Sequence, residues 1–391
     1  MLHYSPTKIN CDSDMLDRSL IDPNPMGRNT LNKSTANPGT PTPLDRTLDR
    51  TLDRTLSLAP MMGCTDRHCR YLFRLLSPNT LMYSEMLVTG ALLYGKAEHF
   101  LRHGGDEPCA LQLGGNDPHD LAACARMVED AGYQEVNLNV GCPSDRVQSG
   151  GIGACLIAKP ALVAECVAAM QAEVKIPVTV KTRIGLNDQD DYEHFHHFIE
   201  TVREAGCRVF IIHARKAILG GLSPKDNREI PPLKYDYVYR IKADFPDCQF
   251  ILNGGINDTA SALAVLPKVD GLMLGRAPYS NPYLLAELEW ALYQHTSMDR
   301  LAALADYTDY MVRNIEAGEP LKHMVRHLMG LFTGIRGARS FRRHLGAHMF
   351  ETGSGTEVVE QALAEAGLCH HAEAAETFVA QQARQQQQPY Q

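Results

Sequence analysis

Eight short runs of β-branched or apolar residues recur along this chain, at Leu58–Met62, Leu81–Tyr83, Ala110–Leu113, Val136–Val140, Val178–Lys181, Val209–His213, Phe250–Leu252 and Gly271–Leu274. Helical patterns separate most of them. DPHDLAACARMVEDAGY opens with Asp117 as an N-cap and Pro118 in the first turn, and KPALVAECVAAMQA, from Lys159 to Ala172, also carries proline near its start. Strands joined through helices pair in parallel, because a parallel pair needs a crossover too long for a hairpin. Eight such units in roughly 230 residues predict a TIM (β/α)8 barrel.

The pattern has edges. Residues 1–56 are rich in Asn, Ser, Thr, Pro and Asp and end in a Leu-Asp-Arg-Thr repeat from Leu44 to Thr55, too poor in apolar surface to offset the entropy of ordering. They are expected to form a disordered extension before a barrel spanning 57–297. After Met298 the strand beat gives way to helical patterns, which predicts a smaller all-helical region over 298–380. A Gln-rich tail follows over 381–391. No apolar run approaches the roughly 20 residues needed to span a bilayer, and the N-terminus lacks the basic-then-apolar layout of a secretory signal. A cytoplasmic protein that does not engage membranes, with its 11 cysteines reduced, is expected. Cys64 and Cys69 flank His68, but the cysteines show no zinc-site spacing, so no metal is expected.

In this fold the chemistry sits at the C-terminal ends of the strands. Polar and reactive residues collect there: Pro60 and Met61 after the first run, Gln112 in the third, Asn139 and Cys142 after the fourth, Lys181 and Arg183 in the fifth, His213 and Arg215 in the sixth. The seventh ends in Asn253-Gly254-Gly255 and the eighth in Gly275-Arg276. Loops after strands seven and eight are the usual phosphate site of such a barrel, because glycine lets backbone N–H groups approach an anion. A phosphate-bearing ligand is therefore expected, and flavin mononucleotide fits. Its phosphate would rest on Gly254, Gly255, Gly275 and Arg276, Lys181 would balance an electron-rich flavin edge, and Met61 and Met62 would pack against the ring.

The stretch VNLNVGCPSDRVQSGGIGA, Val136 to Ala154, leaves Cys142 at a strand tip beside a glycine-rich loop. Taken alone, Cys142 reads equally well as a small buried filler. Together with APMMGCTDRHCRYLFR, LQLGG, VKTRIG, IIHARKA, SPKDNREIPPL, NGGI and LGRAPYSNP, the stretch resembles the tRNA-dihydrouridine synthases, flavin enzymes that reduce uridine in tRNA. The likeness runs from about Leu58 to about Ala347 and is greatest to the bacterial branch that modifies uridines 20 and 20a of the D-loop. It implies Cys142 as the catalytic acid. It also implies Pro60, Met61, Met62, Gln112, Lys181, His213, Asn253, Gly254, Gly255, Gly275 and Arg276 as the FMN site, and Asn139, Lys225 and Arg228 as tRNA contacts.

Charge points the same way. The chain is acidic, with net charge -8. Yet from Leu321 to Phe350 its charged residues are Lys322, Arg326, Arg336, Arg339, Arg342 and Arg343, with no Asp or Glu. Such a segment fits a phosphate-binding surface. Arg339 and Arg342 share a helix face, and the resemblance assigns them to tRNA.

Uracil's C5=C6 bond is conjugated to its C4 carbonyl, so hydride adds at C6 and a proton at C5. A thiol, with an ordinary pKa of about 8.5, carries that proton at neutral pH. NADPH is the expected reductant, with no GxGxxG fingerprint in the chain. A monomer is expected. Competing readings are a barrel flavoenzyme acting on a free pyrimidine such as dihydroorotate, a lyase using Lys181 as a Schiff base, and a non-catalytic RNA-binding module.

Overall fold

Eight parallel strands close on themselves in sequence order, β1 (Leu56–Leu58), β2 (Leu81–Val88), β3 (Cys109–Gly114), β4 (Glu135–Val140), β5 (Val178–Arg183), β6 (Val209–His213), β7 (Gln249–Asn253) and β8 (Gly271–Leu274). The computed structural model describes residues 52–294 and 299–368. Residues 1–51 of the expected extension, the expected boundary at 297–298 and the Gln-rich tail lie outside them. No helix among the described residues is long and apolar enough to cross a membrane.

Alternation along each strand sorts the core into two parts. On β4, Val136, Leu138 and Val140 face the surrounding helices, and Glu135, Asn137 and Asn139 fall on the opposite, inward face. Inside the barrel, Tyr83, Ala110, Val209, Ile211, Ile251 and Met273 pack together. The two predicted helices appear as Pro118–Asp130 and Pro160–Glu173. Asp117 caps the first by accepting from the His119 and Asp120 amides.

β1 lies earlier than its apolar run suggested. Pro60 has no N–H for the ladder, and the Met61 carbonyl is taken by the amides of Cys64 and Thr65, each at 3.0 Å. Met61 and Met62 therefore sit in a turn beyond the strand, and Met62 is exposed. The fold correspondingly starts before Ser57. Leu56 is fully buried, and Arg54, inside the tetrapeptide repeat, is buried against Glu135.

After the barrel come helices Arg300–Glu316 and Lys322–Val325, a 3-10 turn over Arg326–Gly330, and helices Ala338–His348 and Glu357–Ala366. They dock on the helix Arg67–Leu76, which follows β1. Tyr71 stacks on Tyr310 with ring centroids 3.9 Å apart, the Tyr310 hydroxyl lies 2.8 Å from His68 Nδ1, and Arg67 meets Glu319 at 2.8 Å. Asp66 joins the two parts most directly. Its carboxylate caps the Arg67–Leu76 helix through the His68 and Cys69 amides and also pairs with Arg326 and with His327, the latter at 3.0 Å.

The barrel closes where β8 meets β1, and a Cβ at Gly271 would overlap the Arg54 carbonyl oxygen. Gly271→Ala is therefore expected to cost about 1–3 kcal/mol by overpacking, read as a lowered urea midpoint. A wild-type midpoint would show that the seam has slack.

Candidate active site

Asn139 is the last inward residue of β4, and its amide shapes the turn that presents Cys142. Asn139 Oδ1 accepts the backbone N–H of Gly141 at 3.1 Å and of Cys142 at 3.0 Å, and Asn139 Nδ2 donates to Gln112 Oε1 at 2.8 Å. The glycine-rich loop then folds back. The Ala154 amide donates to the Cys142 carbonyl at 2.9 Å. Gly153, at φ +72°, sits where a Cβ would lie 2.6 Å from that same oxygen, so only glycine fits. The thiol is half-buried, donates to Ser144 Oγ at 3.5 Å and packs beside Met86, Val147 and Ile152.

Across the mouth, Lys181 donates from Nζ to Asn253 Oδ1 at 3.1 Å, while Asn253 Nδ2 donates to the Met273 carbonyl at 2.7 Å. Burial, followed by the Arg183 charge, lowers the Lys181 amine to about 7. His213 is held well below the ordinary imidazole value, first by burial and then by Arg183, Lys181, Arg215 and Arg228. It is therefore neutral. Gly254, at φ +105°, passes so close to His213 that a Cβ would stand 2.6 Å from its ring. Gly275 borders Met61 Sδ, and Arg276 pairs with Glu229 at 2.6 Å.

The mouth is thus a cluster of cations with little to balance them. Arg183, almost fully buried, donates to the carbonyls of Gly141 (2.9 Å), Lys216 (3.0 Å) and Asn227 (2.9 Å), not to a carboxylate. The buried Nε atoms of Arg215 and Arg228 have no hydrogen-bond partner among the described residues. Buried donors left orphaned on such cations are costly unless an anion completes them. These residues fit a phosphorylated, electron-rich cofactor.

Every residue expected at the strand ends is therefore present at one end of the barrel. Gln112 and Asn139 are buried with their amides engaged, Met62 and Lys225 are exposed, and Arg228 is half-buried. Arg183 stands out in the sequence only by its place at a strand end, yet it ties the Cys142 turn to the loop carrying Lys225 and Arg228. Glu85, which accepts the Gly63 amide in the turn after β1, went unnoticed. In the C-terminal segment Arg339 and Arg342 are exposed on one helix, Ala338–His348, together with Arg343 and next to Arg336. Arg326 differs: its guanidinium pairs with Asp66.

An anion seated beside Lys181 favours the ammonium form and raises the amine's pKa from about 7. Titrating FMN into cofactor-free protein at about pH 8 should therefore be accompanied by proton uptake. Calorimetry in buffers of different ionisation heat measures it. Proton release, or none, would place the anion elsewhere.

Comparison with known proteins agrees with this geometry. The model of the dihydrouridine synthase family matches residues 57–367. The chain is 55% identical over 310 residues to a tRNA-dihydrouridine(20/20a) synthase of Pseudomonas putida, covering 78% of this chain and 92% of the relative. Identity is 52% over 312 residues to the protein so named in Vibrio cholerae (79% and 95% covered) and 52% over 310 residues to that of Escherichia coli (78% and 90%). With a family model spanning the barrel and the helices after it, and relatives above 50% identity along nearly their whole length, the chain belongs to the dihydrouridine synthase family.

Proposed function

We propose that this enzyme reduces the C5=C6 bond of uridine to 5,6-dihydrouridine at positions 20 and 20a of the tRNA D-loop, using FMN and NADPH. The observation that carries the proposal is a half-buried thiol fixed at the mouth of a barrel whose other strand ends gather unbalanced cations, in a chain that matches dihydrouridine synthases from end to end of that barrel.

When bound, FMN, re-reduced by NADPH, supplies the hydride for uracil C6. The chain's own residues provide the rest. Gly254, Gly255, Gly275 and Arg276 receive the phosphate, with the orphaned donors of Arg215 and Arg228 at hand. Lys181, pinned by Asn253, balances negative charge on the cofactor. Pro60, Met61, Met62, Gln112 and His213 complete the walls. Hydride addition at C6 leaves an enolate across C5, C4 and O4 of the base, and the Cys142 S–H gives its proton to C5. Solvent then returns a proton to the sulfur. Asn139, whose carbonyl oxygen and one N–H hold the turn, retains a second N–H for the uracil edge.

A base inside a barrel mouth has to be turned out of its stack. Exposed cations set the register of the RNA that delivers it. Lys225 and Arg228 stand on the rim, and Arg339 and Arg342 lie on a helix with no ion-pair partner among the described residues.

Cys142→Ala should retain flavin and lose uridine reduction by at least about 10²-fold, assayed as dihydrouridine formed on unmodified tRNA. Turnover at the wild-type rate would remove Cys142 from the chemistry. Arg339→Ala combined with Arg342→Ala should weaken tRNA binding and reduce the slope of log K against log salt by about 2, while NADPH oxidation by oxygen persists. An unaltered slope would move the RNA off this surface.

A further inference from the structure

The barrel interior carries a line of polar side chains that begins far from the mouth. At the opposite end of β4, Glu135 is fully buried and held by Arg54, whose Nε and Nη2 both reach its Oε2 at 2.8 Å. Its Oε1 accepts the Tyr83 hydroxyl and, at 2.7 Å, the Thr179 hydroxyl. Asn137 Nδ2 donates to Thr179 Oγ1 at 2.8 Å, Gln112 Nε2 donates to Asn137 Oδ1 at 2.8 Å, and Asn139 Nδ2 donates to Gln112 Oε1 at 2.8 Å. The line ends where Asn139 Oδ1 accepts the Gly141 and Cys142 amides.

We infer that Glu135 is a remote positioning residue, which fixes through Thr179, Asn137 and Gln112 the orientation of the Asn139 amide and so the turn that presents Cys142. The reason is donor and acceptor arithmetic. A carboxylate bonded on both oxygens by an arginine and a tyrosine can only accept. Thr179 has one hydroxyl proton and spends it on Glu135, so it can only accept from Asn137. That turns Asn137 Nδ2 toward Thr179 and its oxygen toward Gln112. Gln112 must then donate to Asn137 and show its oxygen to Asn139. Asn139 consequently donates to Gln112 and shows its oxygen to two backbone N–H groups that need an acceptor. Both ends of the line demand the same polarity. Reversing any amide sets donor against donor among buried side chains, and each unmet group costs more than the bond is worth.

The spacing explains how the line is built. Residues 135, 137 and 139 share the inward face of β4, and the gaps between them are bridged from the neighbouring strands by Thr179 of β5 and Gln112 of β3, which are in register with Asn137. The two strands on either side of the catalytic one therefore each contribute a link.

The test uses whole protein and Thr179, which touches neither cofactor nor substrate in the proposed reaction. Thr179→Val keeps the shape and removes the hydroxyl; Thr179→Ser keeps the hydroxyl. In Thr179→Val the Gly141 and Cys142 amides are expected to exchange with deuterium about tenfold faster, and kcat for tRNA to fall about tenfold with KM for tRNA unchanged. Thr179→Ser should restore both. Exchange and kcat unchanged in Thr179→Val, or Thr179→Ser impaired to the same degree, would overturn the inference. The kcat arm rests on the proposed uridine reduction and the exchange arm does not, so wild-type protein inactive on tRNA would refute that function and leave this inference to the exchange data. A neutron structure of the wild-type protein decides it without any variant: deuterons on Thr179 Oγ1 toward Glu135 and on Asn139 Nδ2 toward Gln112 are expected, and either one in the reverse sense would refute it.

Discussion

The barrel closes over three residues. β1 is Leu56–Leu58; Ser57 and Leu58 pair with β2 on one side and all three with β8 on the other. Every loop that forms the mouth depends on that seam, because only a closed ring brings the ends of eight strands around one point. The seam is tight in two ways. Gly271 has no side chain, so the chain before β1 can cross it, and Arg54, delivered by that crossing, plugs the interior by pairing with Glu135 on β4. An isolated buried carboxylate would be prohibitive, and an arginine with two donors on one oxygen offsets it.

At the other end of the ring the balance is reversed. Lys181, Arg183, Arg215 and Arg228 surround a neutral His213, and one carboxylate at that end, Glu229, is exposed and engaged with Arg276. Such an arrangement destabilises the bare protein. The proposed function would explain it: the cost would be recovered on binding of a phosphate and an electron-rich ring, and a lysine whose amine sits near neutrality would respond. The same field lies across the Cys142 sulfur. The cluster that would hold an anionic cofactor in the proposed reaction thus also lies beside the Cys142 sulfur.

Much of this was legible in the chain. Alternating apolar runs and capped helices specified the barrel, since period and connection length leave few alternatives. Cys142, Lys181, His213 and Asn253 stood out because polar residues closing apolar strands have no packing reason to be there. Three things were hidden for physical reasons. Pro60 and the turn that uses the Met61 carbonyl end β1 before its apolar run does. Arg326 reads as one cation of a basic segment, and its partner Asp66, 260 residues earlier in the chain, is brought against it only by docking of the helices. Glu135, Asn137 and Thr179 lie within apolar strands, and nothing local says that they bond to one another. The faint signal was the alternation of Glu135, Asn137 and Asn139 inside one strand, which places three polar groups in a core that tolerates them only if linked.

The central claim is that this chain converts uridine to dihydrouridine in the D-loop. It is tested most directly by mass-spectrometric mapping of tRNA from a host stripped of its own dihydrouridine synthases, with and without this chain supplied. The account predicts dihydrouridine at positions 20 and 20a only when the chain is present. Uridine remaining at both positions, or dihydrouridine appearing only elsewhere, would contradict it.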